Sequence, residues 1–208
     1  MKLLIENWRR FIKEETFPID IGEEVLAVFD FDDTLAHTDS SSKLLNKDGE
    51  VIRVLQTQKD QDNLTTDMEK NPDKYKGMYF DFSDFSDIQN AEHDEDMVKR
   101  MVEYDKDPTA QVIILTARDP IAEDAIQAYF NELGVGTENL IIKGLAGKSK
   151  GDYLLNTVEN NPSIKKVLFW DDSEKNIKDV ENKLQDTDIE LDATLVRSPN
   201  NPEDANNV

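Results

Sequence analysis

The sequence predicts an α/β protein: a parallel sheet with helices on both faces, interrupted by an insertion directly after its first strand. Three observations predict it. Short, continuous apolar runs recur along the chain, the pattern of strands buried on both faces rather than half-exposed ones. Amphipathic helical segments alternate with those runs. The stretch 40–94 alone breaks the rhythm, being polar and rich in turn signals.

The elements follow in order. Leu4, Trp8, Phe11 and Ile12 share one face of a helix at i, i+4, i+7 and i+8, so an amphipathic helix and lead-in are expected over 1–24, packing on the protein's own body, with docking to a partner as the alternative. "EVLAVFD" (24–30) reads as the first strand, and "QVIILTA" (111–117) as the second. "NLIIKG" (139–144), "KKVLFWD" (165–171) and "DATLV" (192–196) give the third, fourth and fifth. Helical patterns cover 122–133 ahead of Gly134, then 150–159 and 174–184. The core is therefore expected over 25–39 and 95–197. Within 40–94, "NKDGE" and "NPDKYKG" signal turns, and "VIRVL" and "MYFDF" are the two strand candidates. A flap or small cap is expected there, without a long amphipathic helix. The tail 198–208, "SPNNPEDANNV", has no apolar anchor and is expected to be disordered.

Composition excludes several function classes. The 208 residues carry 45 acidic against 24 basic side chains, a net charge of −21. Such a surface repels nucleic acid and anionic membranes, so generic nucleic-acid binding and membrane attachment are not expected. No apolar run approaches the roughly 20 residues of a membrane span, and the N-terminus lacks a signal-peptide pattern. There is no cysteine, which removes disulfides, thiolate chemistry and Cys-ligated zinc. A cytoplasmic location is expected; the oligomeric state is left open.

The first strand ends in three carboxylates within four residues, Asp30, Asp32 and Asp33. Buried carboxylates at this spacing repel one another unless a cation or proton joins them. In an open parallel sheet, ligands bind at the carboxyl ends of the strands, where strand order reverses. Thr116 ends the second strand, and Asp171 with Asp172 ends the fourth. If the first and fourth strands are neighbours, Asp30, Asp32, Asp171 and Asp172 converge on one crevice. An all-oxygen, open site of that kind suits Mg²⁺ shared with a phosphate.

In order and spacing, "DFDDTL", "LTAR", a lysine opening a helix and "LFWDDSEKNI" resemble the four motifs of the haloacid dehalogenase (HAD) superfamily of phosphotransferases. The resemblance runs from about residue 25 to 196, apart from the insertion, and implies a Rossmann-like, HAD-like core, of a minimally capped phosphatase type. It implies that Asp30 is the nucleophile that becomes an aspartyl-phosphate, and that Asp32 is the general acid and then the base. It implies a Mg²⁺ site made by Asp30, the Asp32 backbone carbonyl and the Asp171–Asp172 pair, with Asp172 the favoured direct ligand and Asn176 an orienting group. Thr116 and the following backbone at Ala117 would bind the phosphoryl group. Arg118 would reach the substrate or form a salt bridge at the sheet edge.

The lysine motif has two candidates, Lys148 and Lys150. Ser149 and Asp152 have capping-box spacing, which puts Lys150 at the first helical position and favours it. His37 and His93 are isolated in polar stretches and are expected at the surface, and Thr34 is expected to organise the turn. The activity implied is a Mg²⁺-dependent phosphomonoester hydrolase acting on a nucleotide, a nucleic-acid end or a phosphoprotein. A phosphotransferase or mutase of the same family, or a non-catalytic HAD-like binding protein, are the alternatives. No P-loop occurs, so no kinase half is expected.

Overall fold

The computed structural model describes residues 24–55, 58–88, 90–136 and 139–197. The amphipathic segment expected before residue 24 and the tail beyond 197 lie outside them. Five strands form the main sheet: β1 (Val25–Phe29), β7 (Ala110–Thr116), β8 (Ile141–Gly144), β9 (Lys166–Asp171) and β10 (Glu190–Leu195). Their order is β10-β9-β1-β7-β8, and every neighbouring pair is parallel. The chain moves outward from β1 through β7 to β8 and then crosses to β9 on the other side. Strand order thus reverses at β1 and β9, which is where a crevice opens in such sheets.

Period-two alternation sends successive side chains of β1 to opposite faces, and both faces are covered. Ala27 and Phe29 join Val112, Ile114, Leu168 and Trp170 on one face. There they pack against α2 (Glu95–Asp105) through Met97, Val98 and Met101, and against α3 (Glu123–Glu132) through Ile126 and Phe130. Leu26 and Val28 join Ile113, Leu115, Val167 and Phe169 on the other face. That face is sealed by α4 (Lys150–Asn160) with Leu154 and Val158, and by α5 (Glu174–Leu184) with Val180 and Leu184.

The helix α2 was not expected from the sequence. Asp94 caps it, its carboxylate accepting a hydrogen bond from the Met97 N–H at 2.9 Å. The insertion is more structured than its polar composition suggests. β3 (Ser42–Leu45), β4 (Val51–Leu55) and β5 (Tyr79–Asp81) make an antiparallel sheet in the order β4-β3-β5, with α1 (Gln58–Lys70) between β4 and β5. Leu44, Leu55 and Leu64 form a separate small core there, joined by Met68, Tyr75, Met78 and Phe80. A two-residue ladder between β2 (Ala36–His37) and β6 (Glu92–His93) closes the base of the insertion. No helix among the described residues is long and apolar enough to cross a membrane.

Candidate active site

Parallel registry brings the acidic strand ends together. Phe29 aligns with Ile114 on one side and Trp170 on the other, so Asp30 emerges level with Leu115 and Asp171, one residue short of Thr116, at the same edge of the sheet. The Asp30 N–H donates to the Trp170 carbonyl at 2.9 Å, extending the β1–β9 ladder by one residue and fixing the start of the turn. The chain then folds back on itself, with the N–H groups of Leu35 and Ala36 both donating to the Phe31 carbonyl at 3.0 Å. Asp33 sits at the tip in the left-handed region, φ 55°. Its exposed carboxylate pairs with His37 Nδ1 at 2.6 Å. Thr34 is buried, and its hydroxyl has no hydrogen-bond partner among the described residues; the turn is organised by its backbone.

Between the strand ends stands Lys150. Its ammonium donates to Asp30 Oδ1 at 2.5 Å and to Asp171 Oδ2 at 2.7 Å, and all three side chains are buried. Local sequence explains the placement. Ser149 is the N-cap of α4, its Oγ accepting from the Asp152 N–H at 2.9 Å, which makes Lys150 the first helical residue as the capping signal predicts. The Asp152 side chain turns outward to Lys183 at 2.5 Å. Gly151 lets α4 press against α5. A β-carbon at Gly151 would lie 2.7 Å from the Asp179 carbonyl, and Asp179 also accepts from the Ser149 hydroxyl and the Gly151 N–H. Lys148, by contrast, is exposed in the loop before the helix.

Asp171 is fully buried and held on both oxygens. Its Oδ1 accepts from the Ser173 N–H at 2.9 Å and from Asn176 Nδ2 at 3.0 Å, while its Oδ2 takes Lys150. Asp172 is half-buried beside it. Carboxylate oxygens of Asp30, Asp171 and Asp172 all lie within 4.8 Å of one another. Electrostatics reflect the crowding. Burial pushes Asp30 well above the ordinary carboxylate range, Lys150 opposes this, and the neighbouring aspartates reinforce it. Asp172 is pushed up to about 7, first by burial and then by Asp171 and Asp33. Burial works against the charge of Lys150, but Asp30 and Asp171 outweigh it and raise that group.

The donor set fits a hard divalent cation. It is all oxygen, its carboxylates carry more negative charge than the one ammonium offsets, and Lys150 and Asn176 already claim Asp171. Asp30 and Asp172 retain the freer oxygens, so they are the residues that would hold the ion.

Thr116 is buried at the end of β7, where its Oγ1 accepts from the Arg118 N–H at 3.2 Å. Ala117 is exposed, and its carbonyl accepts from the Gly147 N–H at 2.8 Å. Asp32 is 30% exposed and paired with buried Arg118 at 2.6 Å, the salt-bridge alternative for that arginine. His93 is exposed on the insertion's closing ladder.

Solved structures share the fold. The HAD domain of effector protein Lem4 from Legionella pneumophila superposes with a TM-score of 0.52 at 14% identity, covering 89% of this chain and 93% of that one. An inactive mutant of the same domain gives 0.51 at 13% identity, covering 88% and 91%. Legionella pneumophila effector Ceg4, solved with an N-terminal yeast Hog1p sequence, gives 0.50 at 19% identity, covering 89% and 95%. The fold is HAD-like. A family model described as a protein of unknown function, DUF2608, matches residues 142–195, the part that carries Lys150, Asp171 and Asp172. No curated protein matches the chain.

What the sequence missed at this site is the partner of Arg118. Its signal was available only in part, since a lone arginine after a strand-end threonine names no partner.

Proposed function

We propose that the protein is a Mg²⁺-dependent phosphomonoester hydrolase that works through an aspartyl-phosphate on Asp30. The observation that carries the reading is the buried Lys150 bridge between Asp30 and Asp171 at the point where strand order reverses. Burying two carboxylates around one ammonium, with a third half-buried beside them, costs desolvation energy that stability alone does not require. The expenditure makes sense where a phosphoryl group and a cation are to be received.

In the first step an Asp30 carboxylate oxygen forms a bond to phosphorus as the bond to the leaving oxygen breaks. Asp32 gives its proton to that oxygen, releasing the alcohol. In the second step Asp32 takes a proton from water, the new hydroxide attacks phosphorus, and the phosphorus–Asp30 bond breaks to give inorganic phosphate. Lys150 holds Asp30 in place and offsets charge on the transferring group, and Thr116 donates to a phosphoryl oxygen. Asp30 and Asp172 would hold Mg²⁺, which would neutralise charge on the phosphoryl oxygens.

The insertion is a small sheet with one helix, which supports a partly open crevice and a bulky phosphoester, such as a nucleotide, a nucleic-acid end or a phosphoprotein. Turnover of p-nitrophenyl phosphate with Mg²⁺ and with EDTA tests the reaction class. EDTA-sensitive hydrolysis that disappears in Asp30→Asn is expected. An equally active Asp30→Asn protein, or no hydrolysis of any aryl phosphate, nucleotide, phosphopeptide or oligonucleotide end, would overturn it.

A further inference from the structure

Arg118 is almost wholly buried, and its side chain touches three separate parts of the chain. Toward the β1 turn it forms a two-pronged fork on Asp32, Nε to Oδ2 at 2.9 Å and Nη2 to Oδ1 at 2.6 Å. Toward the start of the insertion Nη2 also donates to Thr38 Oγ1 at 3.0 Å and Ser40 Oγ at 3.1 Å. Toward the end of the insertion Nη1 donates to the carbonyls of Phe85 and Asp87 at 3.0 and 3.1 Å. The guanidinium lies between the rings of Phe31 and Phe85, 5.3 and 5.2 Å from their centroids. A guanidinium has five N–H donors, and the contacts here occupy all of them, leaving none for a substrate phosphate.

A second strut holds the same segment. Asp84 accepts from Ser41 Oγ at 2.9 Å and Lys43 Nζ at 2.7 Å, tying the short helical turn Ser83–Ser86 to the first strand of the insertion. That turn presents the Phe85 carbonyl to Arg118. Asp32 is further fixed by Thr38, whose hydroxyl donates to its Oδ1 at 3.2 Å.

We infer that Arg118 is a positioning residue that docks the insertion on the core and, through the same guanidinium, fixes the Asp32 carboxylate on the turn that carries Asp30. Docking of the insertion and placement of the acid–base group are therefore one event. The inference rests on the phosphatase reading above. A fork is the geometry that fixes a carboxylate in orientation as well as distance, which a point charge does not. Unlike a substrate-binding arginine, Arg118 acts only through Asp32 and the insertion.

A double-mutant cycle tests this on an aryl phosphate with a good leaving group, for which Asp32→Asn retains measurable turnover. Arg118→Ala is expected to lower kcat about tenfold or more with KM changed less than about threefold. In the Asp32→Asn background, Arg118→Ala should cost less than about twofold further, because the residue it positions is already gone. Independent, multiplying losses would overturn the inference, as would an Arg118→Ala enzyme within about twofold of wild type. If Arg118→Ala does not fold, Arg118→Lys enters the same cycle, since it keeps the charge without the fork and must show the same non-additivity. Limited proteolysis reads the second half. Residues 40–94 should be cleaved faster in the Arg118 variant than in Asp32→Asn, and equal rates would overturn the coupling to the insertion. A wild-type protein without turnover on any phosphomonoester would instead overturn the proposed function and this inference with it.

Discussion

Lys150→Met keeps most of the length of the side chain and removes its charge. In the wild type this ammonium lies 2.5 Å from Asp30 and 2.7 Å from Asp171, with none of the three side chains more than 8% exposed. Removing one partner of a buried ion pair leaves uncompensated charge, at about 3–5 kcal/mol. Against a domain stability of about 5–15 kcal/mol, that is a large share. The loss should depend on pH in a defined sense. Burial already raises Asp30, and without Lys150 only groups that raise it further remain. A carboxyl with a raised folded-state pKa contributes stability at low pH that is lost as pH rises through that value. The variant should therefore be closest to wild type near pH 5 and furthest from it near pH 8, a window that the upward shift of Asp30 dictates. Turnover should fall at least about a thousandfold at neutral pH, because losing Lys150 favours the protonated form of Asp30 and removes the charge that offsets the transferring group. Urea unfolding at both pH values and aryl-phosphate kinetics supply the two readings. A variant within about 1 kcal/mol of wild type at pH 8, or within about tenfold in turnover, would refute the bridging role. So would a larger effect from Lys148→Met, which changes an exposed side chain.

The neighbouring aspartates should separate by assay. Asp172→Ala is expected to raise the Mg²⁺ concentration for half-maximal activity, while Asp171→Ala, which removes one of the two carboxylates on Lys150 and the partner of Asn176, should cost mainly stability in urea unfolding. The reverse order would mean the two roles are exchanged. Because Asp172 lies near pH 7, a proton must leave before the cation binds, so apparent Mg²⁺ affinity should drop about tenfold per pH unit below that point. Calorimetric titration at pH 6 and pH 8 checks it, and a flat profile would contradict the assignment. Replacing 46–78 by an Asn-Gly turn should preserve the β3–β5 hairpin, since Leu45 and Tyr79 are already paired. Turnover of a small aryl phosphate should then stay within about threefold, and its collapse in a folded variant would refute the open crevice.

The central strands β1, β7 and β9 were legible because each carries a continuous apolar run, whereas β8 is short and β10 mixes polar and apolar residues. The placement of Lys150 was legible through the Ser149 cap, a local signal that needs no knowledge of the fold. The insertion was read less well for physical reasons. In α1 only Leu64 and Met68 supply an apolar pair at helical spacing, so its period is faint, and β3 is four residues of which half are polar. Both are held by the small Leu44, Leu55 and Leu64 core, which no local pattern reveals. In α2 the apolar stripe of Met97, Val98 and Met101 was present but narrow, between charged neighbours. Arg118 pairs with a residue 86 positions away, a contact that only the closed fold defines.

The central claim is a covalent step on Asp30, and trapping that intermediate tests it most directly. Wild-type protein and Asp32→Asn, mixed with an aryl phosphate and Mg²⁺ and quenched in acid within the first turnover, would be digested and read by peptide mass spectrometry. Phosphate is predicted on Asp30, more of it in Asp32→Asn, where the base that activates water is missing, and none when EDTA replaces Mg²⁺. Turnover with no phosphorylated peptide, or with the phosphate on any other residue, would contradict the mechanism.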